Sequence, residues 1–300
     1  MDNYDLLTPI GEGAFGLVFK AVHKPTGQEV ALKRILFVGR TAVTRVPKLI
    51  DVLKEIKLLA TIDCENVVKL LDWFLHGSTY VLAFDLMPSG LLEYIYDLQA
   101  PLQTGEIKAY LRMLLKGVAY LHAHSIIHRD IKPANVLIDR RGILKLADLG
   151  LSRLIGRDGF LTPHIGTRWY RAPELLFGDC SSDIDQLATV LSTLGAPNEE
   201  VWPGVTSLPD YNKILFPNMA AVPFEDLFPD CDEITLNLLE KFLTYYPKNR
   251  IRANEALQHP VFFLDPLPLQ DHLLRKPPSN HRLVVLGKTN YHALDNAFPV

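Results

Sequence analysis

Residues 11–16 read Gly-Glu-Gly-Ala-Phe-Gly, three glycines at a spacing that lets backbone lie close to a phosphate chain. What surrounds them decides the fold. Residues 4–10 read as a strand, and residues 17–22, Leu-Val-Phe-Lys-Ala-Val, form a second β-rich run. A dinucleotide-binding loop of the same spacing opens a helix, whose N-terminus receives the pyrophosphate. Here a strand follows, so the loop is a flap between two strands, with backbone N–H groups free to cover phosphates. It also lacks the terminal Lys-Ser/Thr of a P-loop. A doubly wound nucleotide-binding sheet and a P-loop fold are excluded, and a β-rich N-terminal unit is expected.

Residues 24–27 form a turn, and Glu29-Val30-Ala31-Leu32-Lys33 is a further strand with a lysine at its end. Burying that charge alone is expensive. A lone strand lysine usually packs its stem and carries its amine to water; the glycine loop upstream favours a phosphate instead. Residues 46–60 read as a helix with Pro47 in its first turn and Leu49, Leu53, Ile56, Leu59 and Ala60 on one stripe. Glu55 borders that stripe, either solvated or turned inward to Lys33. Residues 67–74 and 79–87 read as strands. Met87-Pro88-Ser89-Gly90 then breaks the pattern. This sets a lobe boundary at residue 87, with nucleotide-base contacts expected to the backbone near Asp85 and Met87.

Residues 105–124 form a long amphipathic helix that feeds directly into His128-Arg129-Asp130-Ile131-Lys132-Pro133-Ala134-Asn135. Neither a buried helix nor a buried strand carries so many charges. The spacing suits a carboxylate, Asp130, that accepts a proton from a hydroxyl, beside an amide, Asn135, that helps hold a metal. The short strand 143–147 ends at Asp148-Leu149-Gly150, a second metal ligand at a strand end. Mg²⁺ takes few carboxylates and completes its shell with phosphate oxygens and water, so Asn135 and Asp148 suffice.

The 300 residues carry a formal charge of −3, and basic residues are scattered. Nothing in that balance points to nucleic acid or an anionic membrane as a partner. Cys64, Cys180 and Cys231 are far apart and have no metal-ligand spacing, as reduced thiols of the cytoplasm or nucleus do. The acidic N-terminus has no apolar core, so no signal peptide is expected, and no apolar run is long enough to span a bilayer.

In order, glycine loop, Val-Ala-Leu-Lys at 30–33, helix Glu55, His-Arg-Asp at 128–130, Asp148-x-Gly150 and Ala172-Pro173-Glu174 resemble the protein-kinase signature set. Lys132 is similar to the lysine of the serine/threonine class. Residues 167–174, Thr-Arg-Trp-Tyr-Arg-Ala-Pro-Glu, resemble the cyclin-dependent kinase group, and residues 113–119 and 202–214 its cell cycle-related branch. The resemblance covers residues 4–263. It implies an α+β, two-lobed kinase fold: a small β-rich N-lobe over residues 4–87 and a larger helical C-lobe over 88–263. Beyond it, Pro266, Pro268, Pro277 and Pro278 point to an irregular tail over 264–300, in which residues 282–286 are the one candidate for a strand or a docking segment. The resemblance implies Mg²⁺ and ATP, with Ile10, Gly11, Glu12, Gly13, Ala14, Phe15, Gly16, Leu17 and Val18 over the phosphates. Lys33, paired with Glu55, would hold the α- and β-phosphates. Asp130 would be the base, Lys132 would steady the transferred phosphate, and Glu174 would pair with Arg250. Thr162 sits where the group carries an activating phosphate, to be received by Arg129, Arg153 and Lys54. The implied partners are proteins with Ser/Thr-Pro sites and a cyclin-like activator. Cell-cycle or ciliary signalling, in cytoplasm, nucleus or cilium, follows by resemblance only.

Four departures from the group stand out. Ala14 and Phe15 replace hydroxyl-bearing inhibitory sites of the glycine loop. Leu149 replaces a phenylalanine. Gly90 stands where the group has an acidic ribose contact, for which Glu93 is the nearest substitute. After Cys180 the chain passes to Ser181-Ser182-Asp183 without the apolar helix that the group places there, so the C-lobe is expected to be incomplete near 180/181. A central helix contributes more than the usual ~5–15 kcal/mol stability margin. A kinase-like protein that binds nucleotide or a partner without turnover is therefore the alternative to an active enzyme. A nucleophile–histidine hydrolase has no support in these motifs.

Overall fold

The computed structural model describes residues 1–13, 16–36, 53, 56–77, 79–96, 101–154, 166–177, 184–209, 211–213, 219–278 and 281. The N-terminal part is a five-stranded sheet of β1 (Tyr4–Gly13), β2 (Gly16–His23), β3 (Gln28–Leu36), β4 (Leu70–His76) and β5 (Thr79–Asp85), in the order β1-β2-β3-β5-β4. Every neighbouring pair is antiparallel. β1 and β2 pair down to Gly13 opposite Gly16, so the glycine run closes a hairpin, as the flanking β-rich residues required. Alternation along β3 turns Val30 and Leu32 to one face, where they are buried with Ala21, Val81 and Ala83, and Ile35 to the other, where it joins a different core with Ile56, Leu59 and Leu82. Lys33 lies inside β3, opposite Val18 and Leu82, rather than at its end. Of the helix expected over residues 46–60, residues 53 and 56–60 are described: Leu53 and 56–59 are helical and Ala60 is a turn, with Ile56 and Leu59 buried but Leu53 and Ala60, expected on the same stripe, exposed. Glu55 and Lys54 lie outside the described residues.

A short strand β6 (Ser89–Gly90) leads into α1 (Leu91–Tyr96) and the long α2 (Thr104–Ala123). α2 starts cleanly because the Glu106 carboxylate turns back to accept from the Gln103 N–H at 2.8 Å. Its buried face, with Ala109, Tyr110, Met113 and Leu121, shares one core with Ile35, Ile56, Leu59 and Leu82 of the N-terminal part. The hairpin of β8 (Val136–Ile138) and β9 (Leu144–Leu146) completes that core, and β6 extends the same sheet in the order β6-β8-β9. Two further strands, β7 (Ile126–Ile127) and β10 (Arg153–Leu154), pair with each other.

The remaining part is helical: α3 (Pro173–Leu176), α4 (Ile184–Leu194), α5 (Phe224–Leu227), α6 (Glu233–Phe242) and α7 (Ala253–Ala256). It holds two more cores. Phe177, Trp202 and Tyr245 form one with Leu187, Leu191 and Val205. Leu115 of α2, Leu238, Val261 and Phe262 form the other with Ala253 and Ala256. Over the described residues 264–278 the regular structure is a 3₁₀ turn at Asp271–Leu273, in keeping with the prolines there; residues 282–286 lie outside the described residues. The tail is nevertheless pinned to the body. Leu274 enters the main core, and the Arg275 guanidinium forks onto Glu106 at 2.7 and 2.6 Å.

Candidate active site

The charged stretch after α2 and β7 owes its shape to a buried histidine. His128 is almost fully buried; its Nε2 lies 2.9 Å from the Ala147 carbonyl, and its Nδ1 accepts from the Asp130 N–H at 3.2 Å. These roles require one tautomer, Nε2–H, and burial pushes the imidazole pKa down, keeping it neutral. Arg129 takes a left-handed backbone, φ +69°, a conformation that costs a non-glycine residue about 1 kcal/mol. The turn it makes sets Asp130 facing the next loop. Pro133, at the start of a one-turn 3₁₀ helix, delivers Asn135 to the base of β8.

Four groups converge on Asp130. Asn135 Nδ2 donates to its carboxylate Oδ2 at 2.9 Å and to its backbone carbonyl at 2.8 Å. Thr167 donates to Oδ1 from both its N–H and its hydroxyl, each at 2.8 Å. Lys132 Nζ stands 3.5 Å from Oδ2 and donates to the Thr167 hydroxyl at 2.6 Å. Since that hydroxyl has one proton, the order is lysine to threonine to carboxylate. Gly166 brings Thr167 in: its φ is +84°, and a Cβ there would stand 2.9 Å from the Arg129 carbonyl. A carboxylate fixed by such donors is placed to accept a hydrogen bond from an incoming hydroxyl, and an ammonium beside it can neutralise a transferring phosphoryl group.

The second acid sits at the end of the hairpin. Asp148 follows β9 with φ +58° and accepts from Lys33 Nζ at 2.7 Å. Burial alone would raise its pKa; the Lys33 ammonium and the Gly150 N–H outweigh it and hold the carboxyl below its usual range. The Ala147 N–H donates to the Asn135 carbonyl at 2.8 Å, which ties the two candidate metal ligands together. The donor set, one carboxylate and one amide oxygen on a rigid hairpin, fits Mg²⁺, which keeps waters and phosphate oxygens for its remaining positions. No group of three or more His, Cys, Asp or Glu able to hold a metal occurs among the described residues, so an all-protein metal cage is not on offer there. Asn66 supports the hairpin from behind, donating to the Leu144 carbonyl and accepting from the Leu146 N–H, both at 2.9 Å.

The roof comes from the sheet. Ile10 is buried, Leu17 is exposed, and Gly11 and Val18 pair with each other across β1 and β2. Gly13 and Gly16 are placed as strand backbone; the Glu12 side chain, Ala14 and Phe15 lie outside the described residues. Met87 is buried and Asp85 half-buried, with Gln28 Nε2 donating to Asp85 at 3.2 Å. Gly90 explains itself: the Glu93 Oε2 lies 2.2 Å from where its Cβ would be, so Glu93 fills the space of the side chain that residue 90 lacks. Leu149 is buried in the main core. Arg153 pairs by its backbone with Ile127, two residues before Arg129; its side chain and Thr162 lie outside the described residues. Arg250 forks onto Glu174 at 2.8 and 2.6 Å and also donates to the Thr244 and Tyr245 carbonyls.

Two partners were not singled out from sequence. Thr167 carried only the signal that it opens the run ending in Ala-Pro-Glu. Asn66, a lone amide between an acidic residue and two valines, carried none.

The protein kinase domain model matches residues 4–262. Cyclin-dependent kinase 20 of Danio rerio is 46% identical over 298 aligned positions, covering 89% of this chain and 86% of that protein. The Homo sapiens protein of that name is 45% identical, covering 89% and 85%. Cyclin-dependent kinase 7 of Dictyostelium discoideum is 40% identical, covering 87% and 80%. Because 298 aligned positions take in 89% of 300 residues, roughly thirty positions of the zebrafish protein have no residue opposite them here. The chain belongs to the protein kinase family and, within it, to the cyclin-dependent kinase group, with ATP and Mg²⁺ as the group's phosphoryl donor and metal.

Proposed function

We propose that this serine/threonine kinase phosphorylates protein hydroxyls that precede proline, with Asp130 as the base. The observation that carries the reading is the convergence of Asn135, Thr167 and Lys132 on one carboxylate. Asp130 orients the substrate hydroxyl and accepts its proton late. Lys132 faces the transferring phosphoryl group, and Lys33 exchanges part of its hold on Asp148 for the α- and β-phosphates. Asn135 and Asp148 would hold Mg²⁺, which supplies charge neutralisation along the phosphates when bound. Met87 and the backbone beside Asp85 receive the base, and residues 10–18 cover the phosphates. A phosphate on Thr162, read by Arg129 and Arg153, and a cyclin-like partner would complete activation. Signalling in the cell cycle or cilium, from cytoplasm or nucleus, is the setting we assign by relationship. The test is transfer from Mg·ATP to a Ser/Thr-Pro peptide beside an Asp130→Asn control. Transfer lost in the control supports the reading; equal background in both defeats it.

A second reading has its own observation. The roughly thirty positions without counterpart fit one internal loss at Cys180/Ser181, a junction outside the described residues. A groove of about 470 Å³ is lined by Leu111, Leu114 and Val118 of α2 with Ile131, Phe242 and Ile251. Arg250 also lines it, and its partner Glu174 lies a few residues before that junction. In this reading the chain binds nucleotide or a partner without turnover. Mg·ATP binding with no transfer above the Asp130→Asn background, with or without an added cyclin-like protein, separates it from the first reading, which expects transfer.

A further inference from the structure

The tail after residue 263 ends, among the described residues, at a buried histidine, His281. Lys108 Nζ donates to the Leu264 carbonyl at 3.1 Å, and the Leu269 N–H donates to the Gly105 carbonyl at 2.8 Å. Leu274 is buried, Arg275 forks onto Glu106, and the Tyr94 hydroxyl donates to the Arg275 carbonyl at 3.1 Å. Two glycines make room for this strap. A Cβ on Gly105 would stand 3.0 Å from the Leu267 carbonyl, and one on Gly142 3.2 Å from that of Arg275. The strap thus carries the chain back across the start of α2 to the segment joining the two lobes.

There His281, 5% exposed, sets its ring edge-on to Tyr94 and its Nδ1 2.8 Å from the Ser89 hydroxyl. Ser89 is fully buried, and its hydroxyl donates to the Gly90 carbonyl at 3.0 Å. One hydroxyl proton cannot serve both contacts, so the ring is the donor: His281 Nδ1–H to Ser89 Oγ, then Ser89 O–H to the Gly90 carbonyl. Both groups are out of water, where an unmade hydrogen bond is costly. The relay holds a decisive pair of residues. Ser89 and Gly90 are β6, which pairs with Ile138 and Leu137 of β8, directly after Asn135. On the other side they follow Met87 by two residues.

We propose that His281 is a positioning residue for nucleotide binding: through Ser89 it fixes the linker that presents the backbone near Met87 to the base. This rests on the reading that residues 85–87 receive the nucleotide. The tail is then part of the ATP site rather than an appendage. The expected signature is a loss in ATP affinity with the phosphoryl-transfer step intact at saturation. The chemistry lies on the Asp130 side, whose own ties do not pass through Ser89.

The experiment uses the full chain and three proteins: wild type, His281→Ala and His281→Asn, whose amide can donate from nearly the same place as Nδ1. Mg·ATP dissociation constants are measured by equilibrium titration, with KM for ATP and kcat from peptide phosphorylation. His281→Ala is expected to raise the dissociation constant and KM about tenfold, the loss of one buried hydrogen bond, with kcat within about twofold. His281→Asn is expected to recover most of the affinity. Unchanged affinity in His281→Ala overturns the inference. So does a loss that His281→Asn does not recover, which marks packing of the ring, or a fall in kcat equal to the rise in KM. A wild-type chain that binds no Mg·ATP overturns this inference together with the nucleotide-site reading, whereas normal wild-type binding with an indifferent His281→Ala defeats this inference alone.

Discussion

Thr167→Val tests whether the hydroxyl between Lys132 and Asp130 belongs to the catalytic apparatus. Valine keeps the shape and the backbone N–H bond to Asp130 Oδ1, and removes only the hydroxyl that accepts from Lys132 at 2.6 Å and donates to Asp130 at 2.8 Å. A hydrogen bond to a charged group contributes about 1.5–3 kcal/mol. Two are removed, but the loss is smaller than their sum. Lys132 remains 3.5 Å from Asp130 Oδ2 and is free to close on it, and Asn135 still holds that oxygen. A net cost of about 2 kcal/mol in the transition state corresponds to a fall in kcat of about 30-fold. Substrate binding does not use this hydroxyl, so KM for ATP and peptide should move less than about threefold. Thr167→Ser keeps the hydroxyl and should stay within about threefold of wild type throughout. Steady-state peptide phosphorylation measures all of these. A kcat for Thr167→Val within threefold of wild type would refute the reasoning, as would a Thr167→Ser variant as slow as the valine.

Other outcomes follow from the same geometry. Arg250→Met removes a forked pair and two carbonyl contacts at a site about a quarter exposed, and should cost about 3 kcal/mol in urea unfolding; a loss under 1 kcal/mol means the Glu174 pair is solvated. Gly117→Ala gains about 1 kcal/mol of helix propensity but puts a Cβ 2.7 Å from the Asn66 carbonyl, so overpacking of about 1–3 kcal/mol wins and the melting temperature falls; a rise contradicts the close approach. Arg275 above all holds the Glu106 carboxyl below its ordinary value of 4.5, against the opposing effect of burial. The folded value is depressed, so the stabilisation is present above pH 4.5 and is lost as pH falls through the folded value. Glu106→Gln should therefore be less stable than wild type by about 1–2 kcal/mol at pH 7, a gap that closes in acid; a gap independent of pH removes the charge from the account.

The parts legible in the sequence were those whose physics is local. A glycine loop between β-rich runs can only be a hairpin, and the apolar spacing of residues 105–124 can only be an amphipathic helix. Asp130, Asn135 and Asp148 stood out because a charged amide-and-acid stretch between apolar flanks has few uses. Apart from Glu174 with Arg250, which the resemblance implied, the distant partnerships were not legible. Lys33 meets Asp148 across 115 positions, and Ser89 meets His281 across 192, and no spacing rule reaches that far. The tail shows the limit best. Its prolines suggested an irregular extension and said nothing of where it would lie; its docking depends on backbone carbonyls, on two glycines that yield space, and on one arginine meeting a glutamate that α2 had already turned inward. Each of those is ordinary surface chemistry until the fold juxtaposes them.

The two functional readings turn on whether the catalytic loop depends on whatever covers the groove, and the bonding pattern separates the two. Asp130 is held by Asn135, Thr167, Lys132 and the His128 ring; His128 is held by Ala147, and Ala147 by Asn135. That circuit closes within residues 128–148 and Thr167, and its foundation is the β8–β9 hairpin packed on α2 and Asn66. None of these bonds is made by a residue lining the groove. Ile131 is the one groove residue inside the catalytic stretch, and its side chain is 39% exposed. Leaving six large apolar side chains half-covered forfeits on the order of 5 kcal/mol, a large share of the ~5–15 kcal/mol that keeps a domain folded, while the circuit around Asp130 keeps its own geometry. The deficit therefore falls on the stability of the helical lobe before it falls on the chemistry, so an apolar helix laid across α2 should raise the melting temperature more than it raises kcat.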